Sequence, residues 1–299
     1  MACSRQSRGF WSAICLAAGG LMGWGSLLPV GHAADPQPPP VVYGVDNRQE
    51  VYSLRGADAR NAAGTVALVR ESSIKPNGDG SFRLVAPTLG SAYDLCPGER
   101  FRTQPTAAFC SGFLAAKNIV VTAGHCVGPI SLASARFVFG YRVLASGAVQ
   151  TRIPASAIYR GVRLLADQEG AADFAVIRLD RNVTSQTPLP FRRTSALALN
   201  SAIYVIGYPS GLPEKVAAGA RILASNRDFF TANLDTFGGN SGSPVFDAAS
   251  DTVVGVLVRG ATDYVRRGGC WVPNVLPNSS GSEESTRTTR IAPFVPLGG

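Results

Sequence analysis

From about Val41 onward, apolar residues come in short runs separated by turn-forming clusters, without the three- and four-residue spacing of long amphipathic helices. The runs at 65–69, 81–85, 119–122, 137–140, 174–179, 203–206, 221–224 and 253–258 are rich in Val, Ile and Phe, which suit a pleated, half-buried surface. Between the first two lies Pro76-Asn77-Gly78-Asp79-Gly80, a hairpin-turn signal that lacks the later acidic ligands and terminal Glu of a calcium loop. Short strands spaced in this way predict barrels or sandwiches rather than parallel βαβ units. The polar stretch 181–201, with Pro188 and Pro190, separates two strand-rich halves and places an internal boundary near residue 190. The segment 278–289, rich in Ser, Thr and Glu, predicts an exposed loop.

Composition supports this picture. Of 299 residues, 45% are hydrophobic and 16% charged, which excludes whole-chain disorder, and 33 Gly with 20 Pro suit a chain of many tight turns. The formal net charge of +8 comes from scattered Lys and Arg, so it reads as surface solubility rather than a nucleic-acid footprint. Arg5 and Arg8 precede a stretch from Gly9 to Ala34 without a charged residue, ending Gly31-His32-Ala33-Ala34. That layout predicts a secretory signal peptide over 1–34, cleaved near Ala33 or Ala34. The run is long enough to span a membrane, but its glycines at 19, 20, 23 and 25 and its small-residue exit argue against a retained anchor. Residues 35–42, with Pro36, Pro38, Pro39 and Pro40, read as a stiff leader, followed by halves at 43–190 and 191–299. The expected location is secreted or periplasmic, with no membrane association after cleavage.

Removal of that segment takes Cys3, Cys15 and His32, leaving four cysteines, with three possible pairings into two disulfides, and His125 as the single histidine. One histidine excludes a multi-histidine metal site, and no metal or organic cofactor is expected. The sharpest chemical signal is Phe237-Gly238-Gly239-Asn240-Ser241-Gly242-Ser243-Pro244-Val245. Glycines around Ser241 let the backbone turn tightly, expose the hydroxyl and free amide N–H groups to face a developing oxyanion. A serine hydroxyl needs an adjacent base titrating near neutrality. In Thr122-Ala123-Gly124-His125-Cys126, the mature chain's histidine follows the apolar run 119–121. An imidazole base makes activity rise toward and above neutral pH. Holding that imidazole in one tautomer calls for a buried carboxylate, and Asp173 opens the apolar strand Phe174-Ala175-Val176-Ile177. Asp167, Glu169 and Asp180 are alternatives in less apolar settings.

The order His125, Asp173, Ser241, with the motifs Thr-Ala-Gly-His-Cys and Gly-Asn-Ser-Gly-Ser-Pro, resembles the chymotrypsin-like (trypsin-like) serine proteases over roughly Val41 to Gly299. The likeness is nearest the bacterial branch that includes the glutamyl endopeptidases, which share the run at 238–245 and an opening similar to Val42-Tyr43-Gly44-Val45-Asp46-Asn47-Arg48. The resemblance implies an all-β fold of two antiparallel six-stranded β-barrels with the active site in the cleft between them, an acyl-enzyme mechanism, and backbone N–H groups of Gly239 and Ser241 as the oxyanion hole. It implies a Cys110–Cys126 bridge pinning the histidine loop, which leaves Cys96 and Cys270 as a second pair that would have to join the two halves. Expected partners are polypeptide substrates and protein protease inhibitors, with a monomeric state. The alternative function is an inactive protease-fold protein that binds polypeptides. An α/β-hydrolase is excluded, because Gly-x-Ser-x-Gly and a histidine after the serine are both missing.

Specificity is less legible. Asp235 lies six residues before Ser241, where trypsin carries its pocket-floor aspartate, and with Thr236 it would line a pocket favouring Arg or Lys on the acyl side of the cut. The competing reading is a solvated or hydrogen-bonded loop aspartate. Val258, Arg259 and Gly260 would form the edge that adds an extended substrate as a strand. Leu257 stands where the glutamyl-specific branch has a histidine, which argues against Glu specificity. Asn240 replaces the aspartate that in trypsin pairs with a newly cleaved N-terminus, and an amide cannot form that ion pair.

Overall fold

The computed structural model describes residues 41–296, so the expected export segment 1–34 and most of the 35–42 leader lie outside the described residues. Two closed six-stranded antiparallel barrels make up the fold. The first contains Thr65–Arg70, Ala108–Ala116, Ile119–Thr122, Ala135–Val138, Ile158–Gln168 and Phe174–Leu179. Its two functional strands, Ile119–Thr122 and Phe174–Leu179, are direct antiparallel neighbours, with Val121 opposite Val176. Phe174 to Ile177 are fully buried, which explains why their sequence is continuously apolar instead of alternating.

The second barrel closes through Ala202–Gly207, Pro244–Asp247, Thr252–Arg259, Glu283–Arg287, Phe229–Ala232 and Lys215–Ser225. Along Ala202–Gly207 the two-residue period is visible. Ile203 and Val205 enter the barrel's own core with Ile222 and Phe230, while Tyr204 and Ile206 join the apolar cluster of the first barrel. Tyr204 stacks on its cross-strand partner Phe246 with ring centroids 4.8 Å apart. The barrels therefore share an apolar seam rather than merely touching.

Three sequence expectations are corrected. Residues 278–289 are not simply an exposed loop, because Glu283–Arg287 is a strand of the second barrel with Glu283, Ser285 and Thr286 fully buried. Its buried side chains are polar, Glu283 and Thr286 with hydrogen-bond partners and Ser285 Oγ with none among the described residues, so no apolar alternation marks it. The half beginning at residue 43 does not belong wholly to the first barrel. Val42–Tyr43 pairs in parallel with Val275–Leu276, and Arg48–Glu50 adds to the Lys215–Ser225 strand. Reciprocally, Ile291 and Val295, near the C-terminal end, pack in the same cluster as Phe174. Two disulfides, Cys110–Cys126 and Cys96–Cys270, are present, the latter tying the loop before the Ala108–Ala116 strand to the Cys270–Pro273 strand. Among the described residues, no helix is long and apolar enough to cross a membrane.

Candidate active site

The Ile119–Thr122 strand ends in a single turn, Gly124–Cys126, that presents His125. Asp173, immediately before the Phe174 strand, meets that turn with both oxygens. Oδ2 lies 2.7 Å from His125 Nδ1, and Oδ1 accepts from Gly124 N–H at 2.6 Å and His125 N–H at 3.3 Å. The imidazole side chain is 41% exposed and the carboxylate 6%, so the ring faces outward with the carboxylate behind it. Thr286 clamps Asp173 from the second barrel: its Oγ1 accepts from Asp173 N–H at 3.0 Å, and its hydroxyl donates to Asp173 O at 2.8 Å. Asp180, one of the alternatives, pairs instead with Arg160 and Arg181.

The Gly238–Ser243 turn is held by a residue that sequence reasoning missed. Ser111, on the first barrel beside Cys110, donates its N–H to Ser241 O at 2.8 Å and its hydroxyl to Gly239 O at 2.7 Å. Ser241 O also lies 3.7 Å from Cys126 Sγ, so the serine backbone sits against the residue following His125. Gly242 has φ of +89°, and a Cβ there would overlap Ser111 O and Thr122 Oγ1, which is why only glycine fits. No hydrogen bond joins Ser241 Oγ to His125 among the described residues; in unliganded enzymes such contacts are often long. The remaining N–H groups of the turn divide cleanly. Gly238, Asn240, Gly242 and Ser243 donate to Asp263, Phe237 O, Leu257 O and Asn240 O, whereas Gly239 N and Ser241 N find no acceptor among the described residues. Asn240 is buried, and its Oδ1 accepts from the Ser243 hydroxyl at 3.2 Å. Cys110, His125 and Cys126 also bring possible metal-ligand atoms within 4.8 Å of one another, but the two sulfurs are bonded to each other and offer no thiolate.

The expected specificity residues part company. Asp235 does not stand as an open pocket floor: Oδ1 accepts from Tyr43 N–H at 2.7 Å and Oδ2 from Asn47 N–H at 3.0 Å. The Arg259 guanidinium lies 2.7 Å from Glu284, also bonds Gly170 O, and approaches Asp173 Oδ2 at 3.8 Å, so its side chain is engaged within the protein while the expected strand-adding edge at 258–260 is a matter of backbone. The Val258 side chain is buried in the core shared by the barrels. Thr236 and Gly260 are brought together by Glu283, another residue the sequence did not flag. Thr236 donates its hydroxyl to Glu283 Oε2, Ala261 N–H donates to Oε1 at 3.0 Å, and a Cβ on Gly260 would overlap the carboxylate. Arg48, buried beside Asp46, stacks on Phe237 with 4.0 Å from guanidinium carbon to ring centroid. The 42–48 segment therefore braces the serine turn from behind.

Burial pushes Glu283 up to about 8 and Asp235 up to about 6. Both bind a proton more tightly folded than unfolded. Their contribution to stability is full in acid and is lost as pH rises from the ordinary carboxylate range through those values, at no more than about 1.4 kcal/mol per pH unit for each group. Unfolding in urea at pH 6 and pH 8 should therefore show a loss of stability with rising pH that Glu283→Gln flattens. An unchanged slope in that variant would refute the attribution.

The family model described as a trypsin-like peptidase domain matches residues 110–256. Secreted RxLR effector protein 73 of Plasmopara viticola is 27% identical over 191 residues, covering 57% of this chain and 44% of that protein. The chain thus spans less than half the length of that curated relative. A solved structure of a Glu endopeptidase in complex with MPD superposes with a TM-score of 0.49 at 18% identity, covering 84% of this chain and 95% of that one.

Proposed function

We propose, from the premise that residues 110–256 match a trypsin-like peptidase domain, that the protein is an exported serine endopeptidase that cleaves polypeptides through an acyl-enzyme. His125 Nε2 takes the proton of Ser241 Oγ as that oxygen bonds to the scissile carbonyl carbon. Asp173 holds the proton on Nδ1 and favours the imidazolium. The carbonyl oxygen, now negative, is received by the N–H groups of Gly239 and Ser241. Collapse of the tetrahedral species returns the proton from Nε2 to the departing amine, and water then repeats the sequence on the acyl-enzyme. The observation that carries this reading is the 2.7 Å contact between His125 Nδ1 and Asp173, set beside a serine turn with two N–H groups that have no acceptor among the described residues.

The two disulfides are compatible with an oxidising, extracellular or periplasmic compartment. Polypeptide substrates follow from the peptidase reading, and protein protease inhibitors and a monomeric state are proposed with it. Incubating the protein with a diverse peptide library tests the function. Cleavage by wild type and none by Ser241→Ala supports it, whereas intact peptides with both proteins favour a non-catalytic, polypeptide-binding role. Since Asn240 lacks a carboxylate to pair with a new N-terminus, activity should survive unrelated residues grafted before Val41. A correctly folded but inactive extended form would contradict that.

A further inference from the structure

A cavity of about 490 Å³ opens beside the serine turn, on residues that the peptidase reading leaves unused. One wall is the loop carrying Tyr93 and Asp94, and the other is the hairpin carrying Asp263, Tyr264 and Trp271. The walls are stapled together by Cys96–Cys270, by Trp271 N–H donating to Asp94 O at 3.0 Å, and by Cys96 N–H donating to Trp271 O at 2.9 Å. The Tyr93 and Tyr264 rings lie 5.0 Å apart, and Tyr264 is fixed below by its hydroxyl, 2.7 Å from Ser210 Oγ. Asp263 is buried, and its two oxygens share a single donor, the Gly238 N–H, at 3.0 and 3.3 Å. Burial pushes its carboxyl well above the ordinary range, a direction that a cation placed alongside would oppose.

The chemistry of this lining is one-sided. The exposed Asp94, the buried carboxyl of Asp263 and three aromatic side chains line the cavity, and no Lys or Arg lines it, although the chain as a whole is basic. Aromatic faces with carboxylates suit a cation on an apolar stem, which is the form of a Lys or Arg side chain. We propose that this cavity is a subsite for a Lys or Arg side chain of the polypeptide, at a position away from the scissile residue. Asp263 links its occupancy to the turn that carries Gly239. The identity of the occupant as part of a polypeptide rests on the peptidase reading; the site itself is testable without turnover.

The test is calorimetric titration of Nα-acetyl-arginine amide into the Ser241→Ala protein, compared with its uncharged isostere Nα-acetyl-citrulline amide, with Trp271 fluorescence recorded in parallel. Arginine should bind in the millimolar range and citrulline about tenfold more weakly. Tyr93→Ala and Asp94→Asn, both outside the catalytic machinery and checked for unchanged melting, should each weaken arginine binding several-fold. Equal binding of the two ligands, no saturable binding of arginine, or arginine binding indifferent to both variants would overturn the proposal. Covalent labelling of the wild type by a fluorophosphonate reports on the peptidase reading separately, so failure of one is distinguishable from failure of the other.

Discussion

Asp173→Asn is expected to lower kcat/KM about 10⁴-fold with the barrels intact. The geometry gives the reason. Oδ1 of Asp173 accepts from the backbone N–H groups of Gly124 and His125, and Oδ2 faces His125 Nδ1 at 2.7 Å. An asparagine that keeps its oxygen on the two backbone donors must turn its NH2 toward Nδ1. The imidazole then accepts at Nδ1, carries its proton on Nε2, and cannot take a proton from Ser241. The Thr286 clamp uses only the backbone of residue 173 and is retained. Steady-state kinetics of the variant on a cleaved peptide, with its melting curve beside that of the wild type, make the measurement. Activity within tenfold of wild type would show that Asp173 is not the orienting acid.

The second large effect concerns Cys110–Cys126. Its sequence separation of 16 corresponds to about 3 kcal/mol in the chain-entropy description of disulfides. This bridge lies where the two chemical loops meet: Cys126 follows His125, and Cys110 precedes the Ser111 that holds Ser241 O and Gly239 O. Replacing both cysteines by alanine should cost roughly that stability and most of the activity together. Removing Cys96–Cys270, whose separation is 174, could cost up to about 5 kcal/mol in the same description, yet it should spare the hydrolytic step because its ends lie outside the serine and histidine turns. Urea unfolding and peptide hydrolysis of the two double variants separate the cases, and equal loss of activity in both would contradict the assigned division.

The geometry of the candidate site was legible wherever local sequence carries the constraint. Glycines around Ser241, a single histidine at the end of an apolar strand and an aspartate opening another are short-range patterns, and the structure brings His125 to Asp173 and the Ser241 backbone to Cys126. What stayed hidden was set by long-range partners. Asp235 reads like a pocket floor until backbone N–H groups about 190 positions earlier arrive to occupy it. The partners of the Arg259 guanidinium, Glu284 and Gly170 O, lie 25 and 89 positions away and leave no local trace. The Glu283–Arg287 strand escapes detection because its buried positions are polar, with Glu283 bonded to Thr236 and Tyr43 and Thr286 bonded to Asp173 rather than packed as apolar residues. A register pattern marks burial only when burial is hydrophobic.

The central claim is that His125 activates Ser241. Labelling with a fluorophosphonate, followed by peptide mapping, tests it most directly. One adduct per chain on Ser241 is expected in the wild type, with labelling slowed by several orders of magnitude in His125→Ala. An unlabelled wild type, an adduct elsewhere, or equal labelling rates in the two proteins would contradict it.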